Sequence, residues 1–171
     1  LMANLQANLR SHYALALSDV SALLTTVNRL FYESTSPEHY ATLFFATYDD
    51  NTRRLRYVNC GHNPPLLLRG DGRVERLEAT AMVVGLFDRW SCEAGEVELR
   101  AGDLLALFSD GVTEAASNDG EEFGEARLLA ALRAYGDMPI CSLHESVVSA
   151  VQQFGGREQN DDLTLVVLRG R

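Results

Sequence analysis

Five consecutive apolar residues, Leu104 to Phe108 (LLALF), constrain the fold more than any other feature of this sequence. A strand turns alternate side chains to opposite faces, so a run apolar at every position needs cover on both. A second run, Leu163 to Leu168 (LTLVVL), makes nearly the same demand. Together they predict two fully buried strands, the last of which returns from a helix into the sheet centre beside the first. With 171 residues the chain has a one-domain length and enough material for the core such strands require.

The flanking segments predict the remaining elements. Leu1, Leu5 and Leu9 recur at helical spacing. Ser18-Asp19 offers an N-cap for a second helix, whose stripe is Val20, Leu23, Leu24, Val27, Leu30 and Phe31, and Ser36-Pro37 ends it. Thr42 to Tyr48 and Leu55 to Cys60, joined by Asp49-Asp50-Asn51, read as a hairpin. Gly61 to Pro65 is a loop, Leu66 to Leu68 a short strand, and Val74 to Leu77 pairs back across Asp71-Gly72. Glu96 to Arg100 alternates polar and apolar residues. Phe123 to Arg133 is predicted helical, with Leu128, Leu129 and Leu132 inward. Ser142 and Glu145 form a capping box for a last helix that buries Leu143, Val147, Val148, Val151 and Phe154 and closes at Gly155-Gly156. Helices, strands and helices in separate blocks predict an α+β fold with mainly antiparallel sheet.

Composition excludes several functions. The net charge of −9 and the lack of an arginine or lysine cluster argue against nucleic acid. No apolar run reaches the roughly 20 residues of a membrane span, and no signal peptide opens the chain. Cys60, Cys92 and Cys141 are odd in number and widely spaced, which argues against a disulfide framework or a thiolate zinc site and for a reducing cytoplasm.

Two segments carry the chemistry. Leu104–Phe108 runs into Ser109-Asp110-Gly111, and Asn160-Asp161-Asp162 runs into Leu163–Leu168. If the two strands are antiparallel neighbours, Asp110 converges on Asp161 and Asp162. Converging carboxylates repel unless a cation lies between them, and oxygen donors suit Mg²⁺ or Mn²⁺ better than zinc. Spacing alone leaves the alternative open: Asp-Gly after a strand is a common turn, and Asn-Asp before one often only caps a loop. Gly111 is expected to let the backbone turn tightly beside a ligand. A haloacid-dehalogenase reading of LFSDGVT fails, because Phe108 stands where that family needs a nucleophilic aspartate. His62 in its Gly/Asn/Pro loop reads as structural, His12, His39 and His144 as surface residues, and Ser109 has no base near it in sequence. No Gly-x-Ser-x-Gly elbow, P-loop or GxGxxG is present.

Four motifs in order, TLFFATYD, LRYVNCGHNPPLLLR, GDLLALFSDGVTEA and QNDDLTLVVLR, resemble the PP2C-like phosphatases of the bacterial SpoIIE/RsbU group over about Leu1 to Arg169. The resemblance implies an α/β/β/α sandwich of two stacked, mainly antiparallel sheets with helices outside. It implies a Mg²⁺/Mn²⁺-dependent phosphatase acting on phosphoserine or phosphothreonine, with a small anti-anti-sigma-type protein as the usual substrate. By motif match Asp110 and Asp161 are metal-ligating, catalytic aspartates and Asp162 is the neighbouring ligand. The family also has a motif close to Asp-Val-Ser-Gly-Lys-Gly just before the helix that begins LMA here, and Met82 to Leu86 (MVVGL) stands for a segment that usually reads Pro-Leu-Gly-Leu. The expectation is a single phosphatase domain over residues 1–171 that lacks its first strands. Its two-metal site would be incomplete, and an open sheet edge would allow a homodimer. The alternative is a partner-binding module of the same fold with impaired catalysis.

Overall fold

The computed structural model describes residues 2–16, 19–36, 38–155 and 162–171. Its elements are α1 (Met2–Ala16), α2 (Val20–Ser34), β1 (Leu43–Asp49), β2 (Arg54–Cys60), β3 (Leu66–Leu68), β4 (Val74–Arg76), β5 (Gly95–Glu98), β6 (Leu104–Phe108), α3 (Asp110–Thr113), α4 (Gly124–Ala134), α5 (Ile140–Gly155) and β7 (Leu165–Arg169). They divide into two units, each with its own sheet and core. Both sheets are antiparallel and carry packed helices, so the fold is α+β, as the segregated blocks predict.

The first unit comprises Leu1–Pro64 and Leu77–Leu99. Its sheet order is β1-β2-β5. Asp19 starts α2 as the sequence predicts: its Oδ1 accepts the N–H groups of Ser21 at 2.9 Å and Ala22 at 3.0 Å. The stripe Val20, Leu23, Leu24, Val27 and Phe31 is buried with Val58 and Cys60 of β2. Full burial of a side chain such as Phe31 contributes about 2–3 kcal/mol. Asn28 sits among these residues, 1% exposed, and is fully used. Its Oδ1 accepts the Gly85 N–H at 2.8 Å and its Nδ2 donates to the Phe87 carbonyl at 3.0 Å. Gly85 has φ of +90°, and a Cβ there would collide with the Phe31 ring, so this turn requires glycine.

The second unit comprises Pro65–Arg76 and Arg100–Arg171, with sheet order β4-β3-β6-β7. β6 is an interior strand, as its apolar run predicts, with Leu104, Leu105, Ala106 and Phe108 all buried. Leu128 and Leu132 of α4 and Leu143, Val147 and Val151 of α5 complete the core against it.

Three expectations are corrected here. The last strand is not fully buried: it lies at the sheet edge, with Val166 and Leu168 exposed by 48% and 44%. Only the Leu165/Val167 face packs on the helical core, and an apolar run does not itself distinguish an edge strand from a central one. The Ser142/Glu145 capping box does not form, because α5 begins at Ile140, three residues before the start that box would set: the Leu143 N–H donates to the Pro139 carbonyl at 2.9 Å. Proline fixes its own φ and has no N–H to satisfy, so it opens the helix before the serine. His12 and His144 are half-buried rather than surface residues: His12 Nδ1 lies 3.0 Å from the Asn8 carbonyl and His144 Nε2 3.2 Å from the Leu165 carbonyl. Leu1, Ser18, Pro37, Gly156 and Asp161, all named in the sequence reading, fall outside the described residues.

Candidate metal centre

β6 and β7 pair antiparallel in the register Phe108↔Leu165, so the end of β6 meets the beginning of β7. This is the arrangement that convergence of the two carboxylate segments requires. One step beyond the ladder, the Ser109 N–H donates to the Thr164 carbonyl at 3.0 Å. The Ser109 hydroxyl donates to the Asp162 carbonyl at 3.1 Å and accepts the Thr164 N–H at 3.0 Å. The chain on either side of Leu163 is therefore stitched to the residue before Asp110.

Asp110 is the first residue of α3, a single turn. Buried Val112, 0% exposed, anchors that turn in the core, and the Asp110 carbonyl accepts the Glu114 N–H at 2.8 Å. The Asp110 side chain is exposed; among the described residues its Oδ1 accepts the N–H of Gly111, at 3.0 Å. Gly111 does not have positive φ, contrary to the expectation of a tight glycine turn. It is buried as the second residue of α3.

Asp162 is likewise exposed, just before β7. The fold thus brings Asp110 and Asp162 to one end of the β6–β7 pair, while Asp161 lies outside the described residues. Among the described residues no group of three or more His, Cys, Asp or Glu side chains is placed to hold a metal ion. The donor chemistry present, exposed carboxylate oxygen with no thiolate or imidazole, fits a hard divalent cation.

The other candidates from sequence take structural places. The His62 N–H donates to Asn59 Oδ1 at 2.9 Å, and Asn59, fully buried, also donates from Nδ2 to the Leu77 carbonyl at 3.0 Å. All three cysteines are free thiols. Burial pushes the Cys60 thiol up to about 12, which removes it as a nucleophile near neutral pH. A groove of about 580 Å³ in the first unit is lined by Tyr13, Arg54, Arg56, Asp49 and Glu96. Its two guanidiniums are balanced by two carboxylates, with Glu96 paired to both arginines, so it holds no excess charge for an ionic ligand.

Sequence reasoning missed two features. Ser109, which has no base near it in sequence, ties two strand ends together through its side chain. Asp103 is the second: it is 2% exposed and paired with Arg69 at 2.8 Å. The burial of the strand that Asp103 opens was the available signal for both, since polar groups next to such a strand must find partners.

The family model for stage II sporulation protein E (SpoIIE) matches residues 1–171. The chain is 29% identical over 157 residues to the phosphoserine phosphatase RsbU of Bacillus subtilis, covering 87% of this chain and 44% of RsbU. It spans less than half the length of the curated relatives it matches. Among solved structures, the SiaA PP2C domain of Pseudomonas aeruginosa is similar with a TM-score of 0.81 at 21% identity, over 99% of this chain and 67% of that one. The catalytic domain of the serine/threonine phosphatase PstP, solved with two manganese ions, has a TM-score of 0.66 at 18% identity, over 96% of this chain and 77% of that one. These likenesses show the fold of PP2C phosphatase domains.

Proposed function

Because the chain belongs to the SpoIIE family of PP2C-type phosphatase domains, we propose that residues 1–171 are one such domain, which hydrolyses phosphoserine or phosphothreonine on a small regulatory protein of the anti-anti-sigma kind. Asp110, Asp161 and Asp162 are the residues that would hold Mn²⁺ or Mg²⁺. The observation that carries this reading is the β6–β7 register, which sets Asp110 and Asp162 at the same strand ends. RsbU being a phosphoserine phosphatase supports the substrate class, and the manganese in PstP supports the metal.

A divalent cation bound there would supply a low-pKa water as nucleophile and charge to neutralise the phosphoryl oxygens. The chain's own contribution is geometric and electrostatic. Asp110 on a core-anchored turn and Asp162 on a stitched strand end are short, stiff carboxylates whose positions the fold determines. Neither acts as a nucleophile on phosphorus.

The test is Mn²⁺-dependent hydrolysis of p-nitrophenyl phosphate and of a phosphoserine peptide by the protein. Activity should fall by roughly 100-fold or more in Asp110→Asn and Asp161→Asn, beyond the 10- to 100-fold typical of residues outside the coordination shell. Unchanged activity in both variants would remove the site assignment. No Mn²⁺-dependent turnover in the wild type would leave the alternative, a partner-binding module of the same fold.

A further inference from the structure

We propose that Ser109 is a positioning residue for this metal centre: its hydroxyl fixes the backbone at Asp162 relative to Asp110, and metal affinity depends on it. The inference rests on the phosphatase reading above and adds to it a residue whose side chain holds no metal.

The argument is one of hydrogen-bond topology. The regular β6–β7 ladder ends at Phe108↔Leu165. Past it, the Ser109 N–H still reaches the Thr164 carbonyl at 3.0 Å, which continues the ladder by one bond. The next tie is made by the Ser109 side chain. Its hydroxyl donates to the Asp162 carbonyl at 3.1 Å and accepts from the Thr164 N–H at 3.0 Å, spanning 53 and 55 residues of sequence. The hydroxyl hydrogen and one lone pair are both committed, so this oxygen is occupied as a clamp and is not poised as a nucleophile.

The clamp has a particular place. It grips the backbone of Asp162 itself, and it belongs to the residue adjoining Asp110. A metal ligand displaced by a fraction of an ångström loses much of its bond, and groups that orient ligands without touching the ion typically account for 10- to 100-fold in affinity. A β-strand that merely needed its edge sealed would be served by backbone bonds alone. Here the side chain extends the pairing by the two residues needed to reach the carboxylate segment.

The experiment is a Mn²⁺ titration followed by the electron paramagnetic resonance of free Mn²⁺, on wild type, Ser109→Ala, Ser109→Thr and Asp110→Asn. Thermal melts run alongside to establish that each variant is folded. Ser109→Ala should weaken Mn²⁺ binding by roughly 10- to 100-fold, and Ser109→Thr, which keeps the hydroxyl, should restore most of it. Wild-type affinity in Ser109→Ala, with binding lost in Asp110→Asn, would overturn the positioning role and leave the metal site standing. Wild-type affinity in both would overturn the site as well. Equal weakening in the Ala and Thr variants would also overturn the proposal, because it would point to packing and not to the hydroxyl. If Ser109→Ala does not fold, Ser109→Cys, nearly isosteric but a weak donor, replaces it: weakened binding supports the clamp and wild-type binding refutes it.

Discussion

Strand β6 has an aspartate just before its start and another just after its end, and their surroundings differ in nearly every respect. Asp103 is 2% exposed. Its Oδ1 accepts the Gly70 N–H at 3.0 Å, and its Oδ2 accepts Arg69 Nη1 at 2.8 Å and the Arg100 N–H at 2.9 Å. Asp110 is exposed and, among the described residues, its carboxylate accepts one bond, from its own neighbour Gly111. A carboxylate whose acceptor sites are taken by the protein can do no chemistry outside it. One held rigidly but left open can take a ligand. Function is therefore to be sought at the end of β6 where the fold leaves a carboxylate unsatisfied.

Asp103→Asn should break the comparison at its stronger side. Removing one partner of a buried ion pair costs about 3–5 kcal/mol, and the low end applies here because Glu75 still holds Arg69 through Nε at 2.7 Å and Nη2 at 2.8 Å. Urea denaturation should show a loss of about 3 kcal/mol, with Mn²⁺ affinity of the folded protein unchanged. A loss under 1 kcal/mol would mean that the Arg69–Asp103 pair is dispensable to the second unit.

Asp110→Asn should behave in the opposite way. With no ion pair among the described residues and an exposed side chain, its stability should stay within about 0.5 kcal/mol of wild type while Mn²⁺ binding is lost. A large destabilisation would make Asp110 a structural residue like Asp103 and would dissolve the contrast.

How much of this contrast the sequence carried depends on how local its causes are. The buried β6 and the carboxylate at its end were legible, since five apolar residues followed by Ser-Asp-Gly state both in eight positions. Asp19 as a helix cap and the α2 stripe were legible for the same reason. Asp103 was not, because its meaning comes from Arg69, 34 residues away across a strand pairing. Ser109 was not, because its partners lie 53 and 55 residues on and depend on register. Asn28 was not, because its partners Gly85 and Phe87 lie 57 and 59 residues away. The half-exposed β7 went unpredicted because Val and Leu on both faces describe its composition, while its place at the edge is a property of the whole sheet.

The smallest expected effect concerns Glu75, the outer member of the Asp103 network. Its side chain remains 42% exposed, so water screens its attraction to Arg69, and Glu75→Gln should cost no more than about 1 kcal/mol at pH 7. The hydrogen bonds from Arg69 hold the Glu75 carboxyl below its ordinary 4.5. A folded pKa below the unfolded one means that the stabilisation is complete above the unfolded value and is lost as pH falls through the folded one. The difference between wild type and Glu75→Gln should therefore be constant from pH 7 down to about 5 and shrink below pH 4.5, as urea midpoints collected along that series would show. If Glu75→Gln instead keeps its full deficit at pH 3, the glutamate acts through packing and not charge. The division of β6 into a charge-satisfied start and a charge-open end would then rest on Asp103 and Arg69 alone.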